Sequence, residues 1–138
     1  MNQIEFFSAK LKYEIDACDL NKAIHENGNI YEIIDARSER SFELEHIKGA
    51  ISLPYSLMNE ETVKHLDKNK IFVTYCDGFG CNASTKGALR LSELNFKVKE
   101  LIGGMEAWKL EGNDISSNLS VEEYNKAMAC DQVCSCHN

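Results

Sequence analysis

The feature that most constrains this chain is the run Ile71-Phe72-Val73-Thr74-Tyr75, which leads straight into Cys76. Apolar and β-branched side chains run through it, which makes it the clearest strand in the chain. The rest of the chain agrees. Tyr13-Glu14-Ile15, Tyr31-Glu32-Ile33-Ile34-Asp35, Ala50-Ile51-Ser52-Leu53 and Lys97-Val98-Lys99-Glu100-Leu101 read as further strands, the third stopped by Pro54. Helical segments fall between them. Residues 3–10 are weakly helical and offer Phe6 and Phe7 to the core. Asp19 is placed to cap a helix over 20–25 that stops at Asn27-Gly28. Helices follow near 39–45 and 60–66. Ala83, Gly87, Ala88, Leu91 and Leu94 share one face of a helix over 83–94, with Asn95 suited to a left-handed cap. Gly103-Gly104 turns into a helix through Ala107, Trp108 and Leu110 that stops near Gly112. Ser120 and Glu123 form a capping box before a helix over 121–128. Strands alternating with helices predict an α/β domain with a mainly parallel sheet and helices on both faces.

Composition removes several functions. With 138 residues, the chain suits a single core. The formal net charge of −7 lacks the positive footprint of a nucleic-acid binder. No apolar run approaches the roughly 20 residues that span a bilayer, so no membrane role is expected. The start MNQIEFFSAK has no secretory pattern, so the expected compartment is cytoplasmic, where thiols stay reduced. The six cysteines, Cys18, Cys76, Cys81, Cys130, Cys134 and Cys136, are then expected to serve chemistry or packing rather than a disulfide framework.

Cys76 stands where a strand feeds a glycine-containing loop, Asp77-Gly78-Phe79-Gly80-Cys81-Asn82, and then a helix start. In open α/β sheets ligands bind beyond the carboxyl ends of the strands. Successive loop N–H groups can form an anion-binding nest, and the helix start adds unpaired N–H groups and the positive end of its dipole. A thiolate there is stabilised, which is the layout of a cysteine nucleophile. The alternative is a buried core cysteine at a strand end. Gly78 and Gly80 are expected to let the loop bend inward. Phe79 either covers the sulfur or caps the loop tip. Cys81, five residues on, suits a resolving thiol, a second sulfur stop or a small loop residue. Cys18, just before a helix, reads as core.

Four segments then resemble the rhodanese-like family, in its order and spacing, over about residues 15–115. They are Ile33-Ile34-Asp35-Ala36-Arg37; His46-Ile47-Lys48-Gly49-Ala50 followed by Leu53-Pro54; Val73-Thr74-Tyr75-Cys76; and Gly103-Gly104-Met105-Glu106-Ala107-Trp108 with Gly112. The resemblance implies a five-stranded, mainly parallel rhodanese-like sheet over residues 1–115, with a helical extension over 1–11. Residues 116–138 are left as a short helix and a cysteine-rich tail. It also implies a sulfurtransferase that carries sulfane sulfur as a persulfide on Cys76. The loop Asp77, Gly78, Phe79, Gly80, Cys81 and Asn82 would hold the anion, with Asp35, Arg37 and His46 as possible support. The partners would be a small-molecule sulfur donor and a thiol, cyanide or protein acceptor. No metal or organic cofactor is called for.

The chain departs from the family pattern at several positions. The loop is longer than usual, and Ala83 stands where an Arg commonly precedes the helix. Asp77 follows the cysteine, so loop side chains supply no positive charge. That disfavours a small dianion as donor, and Asn82 argues against the phosphate-clamping branch of the fold. Glu45 replaces a Gly before His46. Ser41 stands where a Glu often pairs with the Arg of Asp-x-Arg, which leaves Arg37 to find another partner. Two other functions fit the residues: a thiol–disulfide redox or sensor protein using Cys76 and Cys81, and a non-catalytic binding module. In the tail, Cys130, Cys134, Cys136 and His137 are candidate soft-metal ligands, a sulfur-accepting arm or simply exposed thiols.

Overall fold

The computed structural model describes residues 1–133. Its elements run α1 (Gln3–Tyr13), β1 (Glu14–Ile15), α2 (Ala17–Asn27), β2 (Tyr31–Asp35), α3 (Glu39–Leu44), β3 (His46–Ile47), β4 (Ile51–Ser52), a 3-10 turn (Tyr55–Leu57), α4 (Glu60–Val63), β5 (Ile71–Tyr75), α5 (Ala83–Glu93), β6 (Lys97–Leu101), α6 (Gly104–Leu110), β7 (Ile115–Ser116) and α7 (Val121–Val133). Five strands form one sheet in the order β1-β6-β5-β2-β4, and every pairing within it is parallel. The strand read from Ile71–Tyr75 lies at its centre.

Alternation along the strands divides the core in two. Ile33, Val73, Tyr75 and Leu101 face α2 and α6, where they meet Leu20, Met105 and Trp108. Ile34 and Phe72 face the other way, onto Leu91 of α5, Met58, Val63 and Phe96. Phe72, Ile34 and Leu91 are fully buried, and each such side chain contributes about 1.5–3 kcal/mol. Parallel strands in register bring their carboxyl ends to one edge. Asp35 lies beside Tyr75, so Ala36 and Cys76 leave the sheet together.

Several expectations need correction. The cap of α2 is Asp16, whose side chain accepts from the Asp19 N–H at 2.8 Å; the helix begins three residues earlier than the periodicity indicated. Cys18 is exposed, because α2 turns Ala17 and Leu20 inward instead. Phe6 and Phe7 are about half exposed, since α1 packs at the β1/β6 edge and buries none of its residues. The helix after the Ser120–Glu123 capping box runs on to Val133. A two-stranded antiparallel pair, β3 with β7, lies outside the main sheet and was not legible as strand, each member having only two residues. It joins residues 115–116 to the body. Asn118 N–H to the Glu43 carbonyl and Tyr124 Oη to Glu45 Oε2 continue that attachment. The bond to Glu45 pushes the Tyr124 phenol up to about 12. Asn95 takes the expected left-handed conformation, with φ 69°. No helix among the described residues is long and apolar enough to cross a membrane.

Gly104 is where a closely packed backbone requires glycine. Its φ is +56°, and a Cβ there would lie 2.3 Å from the Cys76 carbonyl oxygen. Gly80 has open space around its Cβ position. Gly104→Ala is expected to destabilise the fold by about 3 kcal/mol or more, while Gly80→Ala stays within about 0.5 kcal/mol of wild type. Urea denaturation of the two variants checks the contrast, and equal losses would contradict it.

Candidate functional site

The site begins with a buried ion pair at the strand ends. Asp35 is fully buried at the end of β2, and Arg37, two residues on, is 8% exposed. Both Asp35 oxygens accept from Arg37: Nε at 3.0 and 3.2 Å, and Nη2 at 2.8 Å. The Arg37 N–H also donates to Asp35 Oδ1 at 3.0 Å. Tyr75 Oη donates to Asp35 Oδ2 at 2.7 Å and accepts from the Ile47 N–H at 3.1 Å. Arg37 Nη2 reaches the Glu45 carbonyl at 2.7 Å, and Nη1 reaches Asp77 Oδ1 at 2.9 Å. The end of β2, the residue before β3 and the loop after Cys76 therefore meet at one guanidinium, and Tyr75 ties β3 and β5 to the same Asp35 carboxylate. Burial pulls Arg37 down, but the hydrogen bonds and charge of Asp35, with help from Asp77, outweigh it and hold Arg37 above its ordinary value. Burial, then the Asp35 charge, raises Tyr75 well above 10.

Arg37 thus finds the partner that Ser41 does not supply, and that partner is Asp77. The acid after the cysteine looked like a loss of positive charge from the loop. In the fold it neutralises the cation beneath the loop, so one guanidinium serves two carboxylates.

Cys76 is 2% exposed. Its carbonyl accepts from the Met105 N–H at 2.8 Å, and the Asp77 carbonyl accepts from the Glu106 N–H at 2.8 Å, so the first turn of α6 grips the loop. In trans peptides the C=O and N–H point in opposite directions. The Asp77 and Gly78 N–H groups therefore face away from α6. Among the described residues, the N–H groups from Asp77 to Gly80 have no intramolecular partner, and only the Cys81 N–H turns back, to the Gly78 carbonyl at 3.3 Å. Helix α5 starts without a side-chain cap on Asn82, which leaves its first-turn N–H groups open as well. Thr74 Oγ1 fixes that helix start by donating to the Ser84 carbonyl at 2.9 Å.

Cys76 and Cys81 are joined by a disulfide, with their Cα atoms 6.3 Å apart. Both residues line two hollows, one on each side of the loop. The first, about 290 Å³, also has Lys10, Phe79, Thr85 and Glu100 in its wall. The second, about 350 Å³, is walled by Arg37, Tyr55 and Asp77. A larger hollow of about 510 Å³ between α1 and α2 contains no cysteine, so the chemistry points to the loop.

The structure brings Asp35, Arg37, Asp77, Cys76 and Cys81 together. His46 stands apart. It is buried, its Nδ1 bonds to the Phe42 carbonyl at 2.7 Å, its ring stacks on Phe42, and it lines neither hollow. Phe79 is 83% exposed, its ring near Gly103, and Asn82 is exposed. Neither Gly78 nor Gly80 takes a positive φ; a Cβ on Gly78 would meet the Glu106 carboxylate, whereas Gly103 and Gly104 take the left-handed turns. Lys10, Ser84, Thr85 and Glu100 also belong to the surroundings of Cys76. Ser84 and Thr85 hydroxyls both donate to Glu100 Oε2 at 2.6 Å, and Lys10 pairs with Glu14. No local motif marks these four, because α1, α5 and β6 meet only through the fold. Cys130 falls within α7, and Cys134, Cys136 and His137 lie outside the described residues.

A family model, the rhodanese-like domain, matches residues 16–111. The thiosulfate sulfurtransferase GlpE of Coxiella burnetii is 40% identical over 78 residues, 56% of this chain and 70% of that protein. A probable molybdopterin-synthase adenylyltransferase of Porphyra purpurea is 31% identical over 103 residues, 73% of this chain; the chain spans 26% of that relative's length. Among solved structures, the BH2092 protein of Bacillus halodurans superposes with a TM-score of 0.80 at 39% identity, covering 84% of this chain and 85% of the other.

The Tyr75 hydroxyl carries a test of the strand-end network. Tyr75→Phe leaves the buried Ile47 N–H without its acceptor and is expected to cost about 1–3 kcal/mol near neutral pH. A phenol raised in the folded state contributes fully below its unfolded value near 10, and that contribution is lost as pH rises above it. The wild-type advantage over Tyr75→Phe is therefore expected to shrink by up to about 1.4 kcal/mol per pH unit above roughly pH 10. Urea titrations of the oxidised proteins from neutral to alkaline pH measure it, and a constant gap would contradict the network.

Proposed function

Since the chain belongs to the rhodanese-like family, we propose that it is a sulfurtransferase that carries sulfane sulfur as a persulfide on Cys76. The observation that supports this most directly is the set of unpartnered N–H groups from Asp77 to Gly80 beside a cysteine at a strand end. The reduced Cys76 thiolate attacks the outer sulfur of a donor. The donor's S–S bond breaks, and its remainder leaves with the electron pair as a thiolate, or as sulfite where thiosulfate is the donor. Cys76 then holds –S–S⁻, whose charge meets the same N–H groups and the open first turn of α5. An acceptor thiol, cyanide or protein cysteine attacks the outer sulfur and returns Cys76 as thiolate. No metal or organic cofactor enters. Asp35 and Arg37 act by fixing the loop, through Asp77, and His46 by packing. We place the reaction in the cytoplasm, where the cysteines are kept reduced.

The fold supplies the loop no unneutralised cation from Arg37, since Asp35 and Asp77 both pair with it. A donor whose reacting end carries less negative charge than thiosulfate, a small dianion that leaves as sulfite, suits this loop better. A second reading, a thiol–disulfide redox protein, is favoured by one observation, the Cys76–Cys81 disulfide.

Reduced Cys81→Ser protein incubated with glutathione persulfide, and separately with thiosulfate, is expected to gain one sulfur at Cys76 by intact-mass analysis and peptide mapping. The gain is expected to be larger with the persulfide, removable by cyanide and absent in Cys76→Ser. No sulfur uptake by this variant from either donor, with wild type forming the Cys76–Cys81 disulfide but releasing no sulfide, would contradict the sulfurtransferase and favour the redox protein.

A further inference from the structure

We propose that Cys81 is a resolving thiol, which gives this chain a second activity: thiol-driven release of sulfane sulfur as hydrogen sulfide. The inference rests on the persulfide reading of Cys76. The loop conformation that carries Cys76 also brings the Cys81 sulfur into bonding contact with it, with the Cα atoms at 6.3 Å, inside the ordinary range for a disulfide. In the loaded, otherwise reduced protein the Cys81 thiol therefore lies beside the inner sulfur of the Cys76 persulfide. Its thiolate attacks that inner sulfur. The Cys76 Sγ–S bond breaks, its electron pair leaves on hydrosulfide, which takes up the Cys81 proton, and the Cys76–Cys81 disulfide remains. Hydrosulfide is a weaker base than an alkyl thiolate, so it is the better leaving group.

The fold also sets how the disulfide is reopened. Cys76 is 2% exposed, whereas Cys81 is only partly covered and borders both hollows. An incoming thiol meets the Cys81 sulfur and expels Cys76 as the thiolate, toward the unpartnered loop N–H groups. A second thiol then frees Cys81. Over one cycle a persulfide donor and two external thiols, or one dithiol, become the donor's thiol, hydrogen sulfide and the external disulfide. The two electrons come from the external thiols.

The test is a single turnover of the full chain. Reduced wild type, Cys81→Ser and Cys81→Ala receive one equivalent of glutathione persulfide, with no added acceptor. Released sulfide is measured, and the sulfur is located by non-reducing peptide mapping. Wild type is expected to release about one sulfide per chain and to end as the Cys76–Cys81 disulfide. Both variants are expected to retain the added sulfur on Cys76. A wild type that keeps its persulfide as long as the variants do would overturn the resolving role and leave the persulfide reading standing. Sulfur found on Cys81 with no disulfide would overturn it in the same way. If neither the variants nor wild type take up sulfur at Cys76, the persulfide reading fails, and this inference fails with it.

Discussion

Everything at the carboxyl edge of the sheet depends on one buried ion pair. Asp35 has no exposure, and its two oxygens take three hydrogen bonds from the Arg37 side chain and one from Tyr75. A buried carboxylate without such partners would be too costly to keep. The pair is tolerated because its geometry is nearly complete, and the completeness ties the structure together. Tyr75 extends the network to β3 through the Ile47 N–H, and Arg37 extends it to the Glu45 carbonyl and the Asp77 carboxylate. The first residue beyond Cys76 is thereby anchored from below, while α6 grips the carbonyls of Cys76 and Asp77 from the side. The loop is held at both the charge and the backbone level.

This arrangement separates two ways of stabilising negative charge. A cationic side chain in the loop would attract small dianions from solution. Here the cation lies under the loop and is neutralised on both sides, so what remains for an anionic sulfur is a set of backbone dipoles and the start of α5. Dipoles of this kind act at short range and favour charge located on the sulfur itself. On the proposed reading Cys81 adds a second control, because Cys76 has no free thiol while it is bonded to Cys81. The supply of reducing thiols therefore governs whether the nucleophile exists at all.

Much of the fold was legible because its signals are local. The unbroken run Ile71–Tyr75 announces a strand, Asn95 announces a left-handed helix end, and Ser120 with Glu123 announces a cap. The Asp-x-Arg, His-Ile-x-Gly-Ala and Gly-Gly-x-x-Ala-Trp segments set the family. The misreadings arise where tertiary contact decides. Asp16 and Asp19 are equally good caps by type, and the inward turn of Ala17 and Leu20 selects Asp16. Phe6 and Phe7 look like core residues, but α1 lies at the sheet's edge. Strands β3 and β7 are two residues each and pair across most of the domain, so no pattern within either one reveals the other. The site divides along the same line. The place of Cys76 between a strand end and a helix start was readable from strand, glycine and helix in succession. The bond from Arg37 to Asp77 spans 40 positions, and the demand for glycine at 104 comes from the Cys76 carbonyl, so both become visible only in three dimensions.

The central claim is that this loop stabilises a thiolate on Cys76, and the pH dependence of its alkylation tests that most directly. The fully reduced protein is treated with iodoacetamide across a range of pH, and Cys76 and exposed Cys18 are quantified as separate peptides in the same reaction. The account expects Cys76 to reach its half-maximal rate below the roughly 8.5 of an ordinary cysteine, and below the midpoint of Cys18. A Cys76 midpoint at or above 8.5 would mean that the loop N–H groups do not act on the sulfur, and the account of the site would be wrong.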